Sequence, residues 1–222
     1  MNGSSDGSLP SPFSSASGFQ LVFRPWRWSD IDDLWRAASE PGSHLPVTLG
    51  WAKRAIESAA NAASAEEADI LGRRSLRSYV VRRVCGHIAR SPHALISYVL
   101  VDGETNTLFG SPSGWMTERP GIAEIGLWVR YPRQGLGREM VAYLESLMFR
   151  TLRPTAIELS VHPDNTAMIG LARSLGYRDS GVVERSQVGN PQPFRERSRL
   201  FVLTAAQWHV KHRALVMSKR VV

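Results

Sequence analysis

The spacing of apolar positions changes several times along the chain, and each change predicts a new element. Leu21 and Phe23 are apolar residues at alternate positions, as in a strand, and Ser29 and Asp30 then offer a helix N-cap. The next section, from Pro46 to Ala94, is rich in Ala, Glu and Arg and is predicted to be mainly helical, although "SYVVRRV" also suits a strand. One helix face is formed by residues four apart: Leu76, Val80, Val84 and Ile88.

The middle of the chain changes to period two or to continuous apolar runs. The segments "LISYVLV", "TLFG" and "AEIGLWV", separated by "DGETN" and "SPSGWMTERPG", predict three antiparallel strands. Helical spacing returns from Gly137 to Phe149, and "IELSV" then predicts a buried strand. The helix is expected to bury one side: Met140, Leu144, Leu147 and Met148.

The last third predicts two helices around two strands. "NTAMIGLARSLGY" predicts a helix that ends at Gly176, and "VVERSQV" and "RSRLFVL" predict strands. A C-terminal helix follows, capped by Thr204 and anchored by Trp208. The order of elements indicates a mixed α/β (α+β) fold with no internal repeat. The predicted buried face of the first helix is Met168, Leu171, Ala172 and Leu175.

Composition limits the domain organisation and the location. The Ser-, Gly- and Pro-rich start predicts a disordered tail over residues 1–18, followed by a single domain over 19–222. No apolar run approaches the roughly 20 residues of a membrane helix, so no membrane partner is expected. The start lacks the basic and apolar regions of an export signal, and Cys85 alone cannot form an internal disulfide. These features favour the cytoplasm.

The chain is basic, with a formal net charge of +7 and only three lysines among 27 basic residues. An arginine excess is compatible with nucleic-acid binding. The arginines are spread along the whole chain, however, and neither a zinc-finger spacing nor an aromatic RNA-binding signature is present. We therefore do not expect nucleic acid as the main partner. An anionic cofactor explains part of the charge equally well.

A glycine turn is the strongest candidate for an anion site. "RYPRQGLGREM" places Gly135 and Gly137 between a predicted strand and a predicted helix, where backbone amides and the helix N-terminus favour a phosphate. A nucleotide P-loop requires Gly-Lys-Ser/Thr, whereas Gly137 is followed by Arg138 and Glu139. A dinucleotide fold requires a third glycine, where this chain has Met140. A coenzyme A cradle is the third option.

Several motifs together resemble the GNAT superfamily of acetyl-CoA-dependent N-acetyltransferases. They are "AEIGLWV", the turn "GLGRE", "IELSV" and "HPDNTAMIGLARSLGY". "FRPWRWSDIDDLW" near the start makes the chain most similar to the branch that acetylates the amino termini of ribosomal proteins. The resemblance covers roughly residues 20 to 208 and implies a mostly antiparallel central sheet of about seven strands with flanking helices.

The resemblance also implies a set of cofactor contacts. The pyrophosphate of coenzyme A would rest on the backbone amides of Gln134, Gly135, Leu136, Gly137 and Arg138. The pantetheine arm would run beside the backbone of Leu127, Trp128 and Val129. Asn165 matches the asparagine that contacts the cofactor near its thioester in the family, and it also has the position of a helix cap. No metal is implied.

The chain departs from the family pattern at three positions. Pro132 stands where the family usually has Gln or Arg, three residues before the first glycine. Ala172 stands where many relatives have a tyrosine that protonates the leaving thiolate, and Met168 replaces the serine of the ribosomal-protein branch. The usual acid is therefore absent from that helix.

Acetyl transfer requires a neutral nitrogen and a stabilised oxyanion. The resemblance implies Glu124 as a base acting through water, and the alternative for Glu124 is a strand-end carboxylate paired with arginine. Glu158 and Glu184 are weaker candidates, while Tyr177 is expected to pack and His162 to lie in a solvated turn. The expected function is acetyl transfer from acetyl-CoA to a primary amine, of a protein or peptide N-terminus or of a small molecule. The alternative is a coenzyme A-binding module without catalysis.

Overall fold

The computed structural model describes residues 13–14, 20–45, 49–86, 95–132, 134–186 and 195–218. The predicted tail lies outside these residues, apart from Phe13–Ser14, and so does the side chain of Cys85. The domain boundaries predicted from the sequence therefore stay predictions. No helix among the described residues is both long and apolar enough to cross a membrane.

The observed elements follow the predicted order of strands and helices. The strands are β1 (Phe13–Ser14), β2 (Gln20–Pro25), β3 (Leu95–Asp102), β4 (Leu108–Met116), β5 (Ile122–Val129), β6 (Ala156–Val161), β7 (Arg178–Ser186) and β8 (Arg195–Thr204). The helices are α1 (Asp30–Ser39), α2 (Gly50–Ala59), α3 (Ala65–Gly86), α4 (Leu136–Thr151), α5 (Thr166–Ser174) and α6 (Ala205–Ser218). The ambiguous segment "SYVVRRV" is helical, because it continues the buried face of α3 through Val80.

One sheet contains all of these strands, in the order β1-β2-β3-β4-β5-β6-β8-β7. β2 pairs with β3, and β8 pairs with both β6 and β7, in antiparallel fashion. β5 and β6 are parallel, and α4 is the crossover helix that a parallel pair requires. The mixed, mostly antiparallel sheet confirms the predicted fold class. β8 lies between β6 and β7, an order that the sequence pattern did not reveal.

The chain forms two compact units. The first contains Met1–Ser91, Ile96–Pro112 and Leu127–Leu136, and the second contains Pro92–Leu95, Ser113–Gly126 and Gly137–Val222. In the first unit, α1, α2 and α3 enclose a core with Leu34, Leu76 and Val80 fully buried. α3 can approach α1 because residue 72 is glycine: a methyl group there would lie 2.4 Å from the Trp35 ring.

A buried ion pair joins β2 to α1 in the first unit. Both Arg24 and Asp30 are buried, and their charged groups form two hydrogen bonds of 3.0 Å and 2.7 Å. Asp30 also accepts a hydrogen bond from the backbone N–H of Arg27. Ser29 precedes the helix as predicted, but its side chain makes no cap hydrogen bond. The Asp30 carboxylate therefore orders this helix start, and Arg24 provides the charged partner that a buried carboxylate needs.

In the second unit α4 packs on the sheet through its predicted apolar side. Met140, Leu144 and Met148 are fully buried, whereas Leu147 is only half-buried. Gly114 on β4 makes room for this helix, because a methyl group there would lie 2.3 Å from the Met148 sulfur. The C-terminal helix α6 has the predicted Thr204 cap, which accepts from the N–H of Gln207. Trp208 anchors α6 by stacking on Phe149, with ring centroids 5.0 Å apart.

The predicted face of α5 is confirmed in part. Ala172 and Leu175 are buried as predicted, whereas Met168 and Leu171 are half-buried. Ile169, which was not predicted, is buried as well. The end of α5 is as predicted: Gly176 has φ +83°, and the N–H of Tyr177 donates to the carbonyl of Ala172.

Asp179 ties the last two strands to α5. Its carboxylate on β7 accepts hydrogen bonds from Arg199 on β8 at 2.8 Å and from Arg173 on α5 at 3.0 Å. The backbone N–H of Gly181 donates to the same group. The bond from Arg199 contributes most, and together these donors hold the pKa of Asp179 at about 2, below its ordinary value of 3.8.

We therefore expect Asp179→Asn to lower the free energy of unfolding by about 1–2 kcal/mol at neutral pH. Because the folded-state pKa is depressed, the wild-type advantage is fully present above pH 3.8 and is lost as pH falls toward about 2. Denaturant unfolding of both proteins between pH 2 and pH 7 measures the difference. Asp164→Asn, at a carboxylate that is 92% exposed, is the control. A difference that is constant over this range would contradict the assignment.

Candidate functional site

The glycine turn has the backbone conformation that an anion cradle requires. Gly135 has φ +75°, which side chains oppose, and no atom lies within 4 Å of the position that a methyl group would occupy. The next residue, Leu136, is buried and begins α4. The open space beside Gly135 therefore adjoins the N-terminus of a 16-residue helix. The first amides of such a helix have no intrahelical acceptor and favour an anion.

Gly137 and Arg138 lie in the first turn of α4. The guanidinium of Arg138 donates a hydrogen bond of 2.8 Å to the hydroxyl of Ser174 at the end of α5. The contact occupies one N–H of an exposed guanidinium, which has further donors, and the backbone amide of Arg138 is not involved in it. The side-chain bond also joins the start of α4 to the end of α5 within the second unit.

An open groove beside Gln134 in the first unit is acidic. Asp102 in this groove accepts hydrogen bonds from the backbone N–H groups of Thr105 and Glu104 in the β3–β4 turn. These bonds, above all that from Thr105, lower the pKa of Asp102 and keep it anionic. A phosphate is therefore disfavoured in the groove itself. Its lining includes Gln20, Asp102, Glu104, Thr105, Phe109, Tyr131 and Gln134.

Three consecutive residues of β5 were predicted to contact the cofactor through their backbone. Trp128 is buried, donates from Nε1 to the Tyr79 hydroxyl at 3.1 Å, and packs on Trp51 with centroids 5.4 Å apart. Leu127 and Val129 are half-buried on either side of it. The Trp128 side chain thus belongs to the core of the first unit, and only the backbone is left for a ligand.

The pairing between β5 and β6 is short. Its register joins Ile122 to Ala156, Ala123 to Ile157, and Glu124 to Glu158. β5 then continues for five more residues to Val129, and β6 continues for three more to Val161. Among the described residues no further pair joins the two strands. The backbone beyond Glu124 therefore has hydrogen-bonding groups that the partner strand does not use.

Glu124, the predicted base, lies opposite a second carboxylate. Glu158 is 4% exposed, and its Oε2 accepts a hydrogen bond from the guanidinium of Arg119 in the β4–β5 loop. That bond raises the pKa of Arg119, and the charge of Glu124 adds to the effect. Arg119 was missed in the sequence. A basic residue in a tight hairpin before a strand carboxylate, with a glutamate inside "IELSV", was the available signal.

Asn165 is the N-cap of α5. Its side-chain oxygen accepts a hydrogen bond of 3.0 Å from the N–H of Met168, and the residue is exposed. Nearby His162 is also exposed, and its Nδ1 accepts from the N–H of Asp164 at 3.3 Å, so it lies in a turn as predicted. The cap uses the carbonyl oxygen of the asparagine. The amide nitrogen is a separate donor.

The groups that could protonate a leaving thiolate are either missing from α5 or buried elsewhere in the protein. Ala172 is fully buried and carries no acid. Tyr177 packs as predicted: it is 4% exposed, and burial, followed by the charge of Glu145, raises its pKa well above the ordinary value of a phenol. Glu145 is itself buried and is paired with Lys211 at 3.0 Å.

Glu184, which the sequence suggested as a weaker candidate for the base, is exposed on β7.

Among the described residues, no three His, Cys, Asp or Glu side chains are grouped closely enough to hold a metal ion. The groups that come together in the structure are carboxylates with arginine, at Glu124, Glu158 and Arg119, and backbone amides at the glycine turn. They suit proton abstraction and anion binding.

Comparison with known families identifies the class of protein. The acetyltransferase (GNAT) domain matches residues 20–178, and the chain belongs to this family. This match confirms two predictions. The chain is a GNAT family member, and it is an acyltransferase that uses acetyl-CoA as cosubstrate. No curated protein sequence matches the chain.

Solved structures share the fold at low identity. RimJ of Mycobacterium smegmatis in complex with CoA-disulfide is 18% identical, with 89% of this chain and 87% of that chain covered and a TM-score of 0.62. The ribosomal-protein-S5-alanine acetyltransferase of Vibrio fischeri is 16% identical, with 85% and 94% covered and a TM-score of 0.59. A chimera of the spermidine N-acetyltransferase of Vibrio cholerae is 16% identical, with 85% and 98% covered and a TM-score of 0.56.

The two roles of Asn165 can be separated by substitution. Asn165→Ala removes the cap and should cost about 1 kcal/mol, or about 2–4 °C in melting temperature, because the N–H of Met168 loses its acceptor. Asn165→Ser keeps a good cap and should melt like the wild type. If the asparagine also contacts the cofactor, Asn165→Ser should still bind acetyl-CoA more weakly in calorimetry. Unchanged affinity in that variant would reduce Asn165 to a cap.

Proposed function

We propose that this protein transfers an acetyl group from acetyl-CoA to the α-amino group of a protein or peptide. The observation that carries the proposal is the conformation of Gly135 in a chain of the GNAT family. Gly135 has a positive φ and open surroundings, and it directly precedes the N-terminus of α4. The relatives that acetylate ribosomal proteins support this acceptor, and the spermidine relative supports small amines as the alternative.

The cofactor contacts follow from the family motif. The pyrophosphate is proposed to accept hydrogen bonds from the amides of residues 134–138, with no demand on their side chains. The pantetheine arm is proposed to pair with the backbone of β5 at Leu127, Trp128 and Val129, where the pairing with β6 has already ended. Asn165 is proposed to contribute its amide group near the thioester. Backbone groups dominate this list, so the cradle tolerates many side chains.

The side chains proposed for catalysis suit an α-amine acceptor. An α-amino group has a pKa near 8, so roughly a tenth is neutral at pH 7, whereas a lysine side chain is neutral at about one part in a few thousand. A single carboxylate such as Glu124, acting through water, is adequate for the first acceptor. A thiol of pKa about 8.5 is a tolerable leaving group without an acid. The buried Tyr177 and the alanine at position 172 support a mechanism without one.

The cradle can be tested at Gly135. We expect Gly135→Val to weaken acetyl-CoA binding at least tenfold, because a β-branched side chain opposes φ +75° and occupies phosphate space. Gly181→Val is the matched control, since Gly181 on β7 has φ +85° and is also surrounded by open space. Calorimetric titration measures both affinities. Equal affinities in the two folded variants would remove the cradle assignment.

The base can be tested by pH dependence. We expect Glu124→Gln to lower the rate on a peptide with a free α-amine by about 10- to 100-fold near pH 7, with a smaller loss toward pH 9, where the amine is already neutral. On the same peptide blocked at its N-terminus but bearing lysine, the variant should be far more impaired. The measurement is a pH–rate profile of each protein on each peptide. Equal profiles on both acceptors would retire Glu124 as the base.

A further inference from the structure

A buried arginine stands between β5 and the glycine turn. Arg130 directly follows the last residue of β5, and its side chain is 7% exposed. Its backbone N–H donates a hydrogen bond of 2.7 Å to the carbonyl of Phe109 on β4. Its Nε and its Nη2 both donate to Oε2 of Glu40, at 3.1 Å and 3.0 Å. The end of β5 is therefore held by a backbone bond and by a charged side-chain contact.

Glu40 is held in place as the C-cap of α1. Its backbone N–H donates to the carbonyl of Arg36 at 3.0 Å, and its own carbonyl accepts from the N–H of Ser43 at 2.9 Å. The hydroxyl of Ser43 in turn donates to the carbonyl of Ala37 at 2.8 Å. These bonds hold the backbone of Glu40 at the end of α1, although the side chain of Glu40 is 41% exposed.

An ion pair thus lies at each end of α1. Arg24 of β2 pairs with Asp30 at the start of the helix, and Arg130 pairs with Glu40 at its end. All four residues belong to the first unit. Arg24 lies within a strand, whereas Arg130 leads into the turn that contains Gly135. The pair at the end of α1 is therefore the one that can influence the proposed cofactor cradle.

The burial of Arg130 makes its contact with Glu40 important for the backbone nearby. A charge that is removed from water is costly unless it is paired, and Glu40 is the carboxylate that pairs with Arg130 among the described residues. Without that carboxylate the guanidinium is expected to move toward water. Such a movement would loosen the end of β5 and the backbone that leads to Gly135. Backbone amides bind a phosphate best when they are already in position before it arrives.

We propose that Arg130 and Glu40 are positioning residues for the cofactor: their ion pair holds the end of β5, so that the turn at Gly135 keeps its anion-binding conformation. This inference rests on the proposed cradle, and it adds α1 to the elements that determine the affinity for acetyl-CoA. The pair acts through structure and not through the charge of Arg130, which Glu40 neutralises. Neither side chain has to touch the cofactor.

The two residues can be removed one at a time and together. Arg130→Met and Glu40→Ala should each weaken acetyl-CoA binding about tenfold in calorimetry, which is the effect of one lost charge-assisted hydrogen bond. The double variant should bind no more weakly than Arg130→Met, because both substitutions break the same contact. With saturating acetyl-CoA, kcat should stay within about twofold of the wild type, since the pair serves binding.

The direction of the Glu40→Ala effect decides between position and charge. If Arg130 attracted the cofactor by its charge, removal of the neutralising Glu40 would tighten binding, whereas Arg130→Met would weaken it. Unchanged or tighter binding in either single variant, or losses that add in the double variant, would overturn the inference. If Arg130→Met does not fold, the sign of the Glu40→Ala effect still decides.

The ion pair at the other end of α1 is the matched control for stability. Asp30→Asn breaks the pair with Arg24 and should lower the melting temperature without a change in acetyl-CoA affinity. If that variant does not fold, Asp33→Asn replaces it, since Asp33 pairs on the same helix with the exposed Arg36. A loss of affinity in the control equal to that in Glu40→Ala would show a general effect of stability and overturn the inference.

Gly135→Val, measured in parallel, separates this inference from its foundation. If Gly135→Val weakens acetyl-CoA binding but Glu40→Ala does not, the positioning role is wrong while the proposed cradle stands. If Gly135→Val binds like the wild type, the cradle itself is wrong, and the positioning role is wrong with it.

Discussion

The short parallel pairing of β5 with β6 is the constraint on which the candidate site depends. Parallel neighbours cannot be joined by a tight turn, so the chain must cross over through α4, and the entry into that helix is the glycine turn. Since only three pairs are made, the rest of β5 keeps its backbone groups for another partner. The last pair also brings Glu124 and Glu158 together. A slip of one strand by one residue would place the two carboxylates on opposite faces of the sheet.

The residues proposed to act on the cofactor and as the base are of two kinds. The proposed glycine cradle would act through its backbone, so it requires a conformation, which Gly135 has with its positive φ. Glu124 would act through its side chain, and it lies opposite Glu158, which forms an ion pair with Arg119 of the β4–β5 loop. The departures from the family pattern at Ala172 and Met168 fall in neither group. They lie on α5, where Ala172 is buried and Met168 is half-buried.

Local signals in the sequence were sufficient for most elements. Three features depend on neighbours within a few residues and were predictable from spacing alone: the Asn165 cap, the left-handed Gly176 and the Thr204 cap. Trp208 was predicted to anchor α6, but its partner Phe149 lies on another helix and was not predicted. The buried face of α5 was predicted only in part, because Met168 and Leu171 are as apolar as Ile169 and only the packing partner distinguishes them. Arg119 was missed, because its partner Glu158 lies 39 residues away and neither local signal shows that the two residues meet. The contact depends on the register between two strands, which apolar periodicity does not determine.

The position of β8 in the sheet has a consequence for how the chain acquires its fold during synthesis. β7 is made before β8, yet its recorded partner in the sheet is β8, which also pairs with β6 along six residues. In a chain that lacks Arg195–Thr204, β7 has lost its partner strand and β6 has only its short parallel contact with β5. A messenger truncated before this strand would therefore yield a chain with two open edges, a state suited to degradation or aggregation.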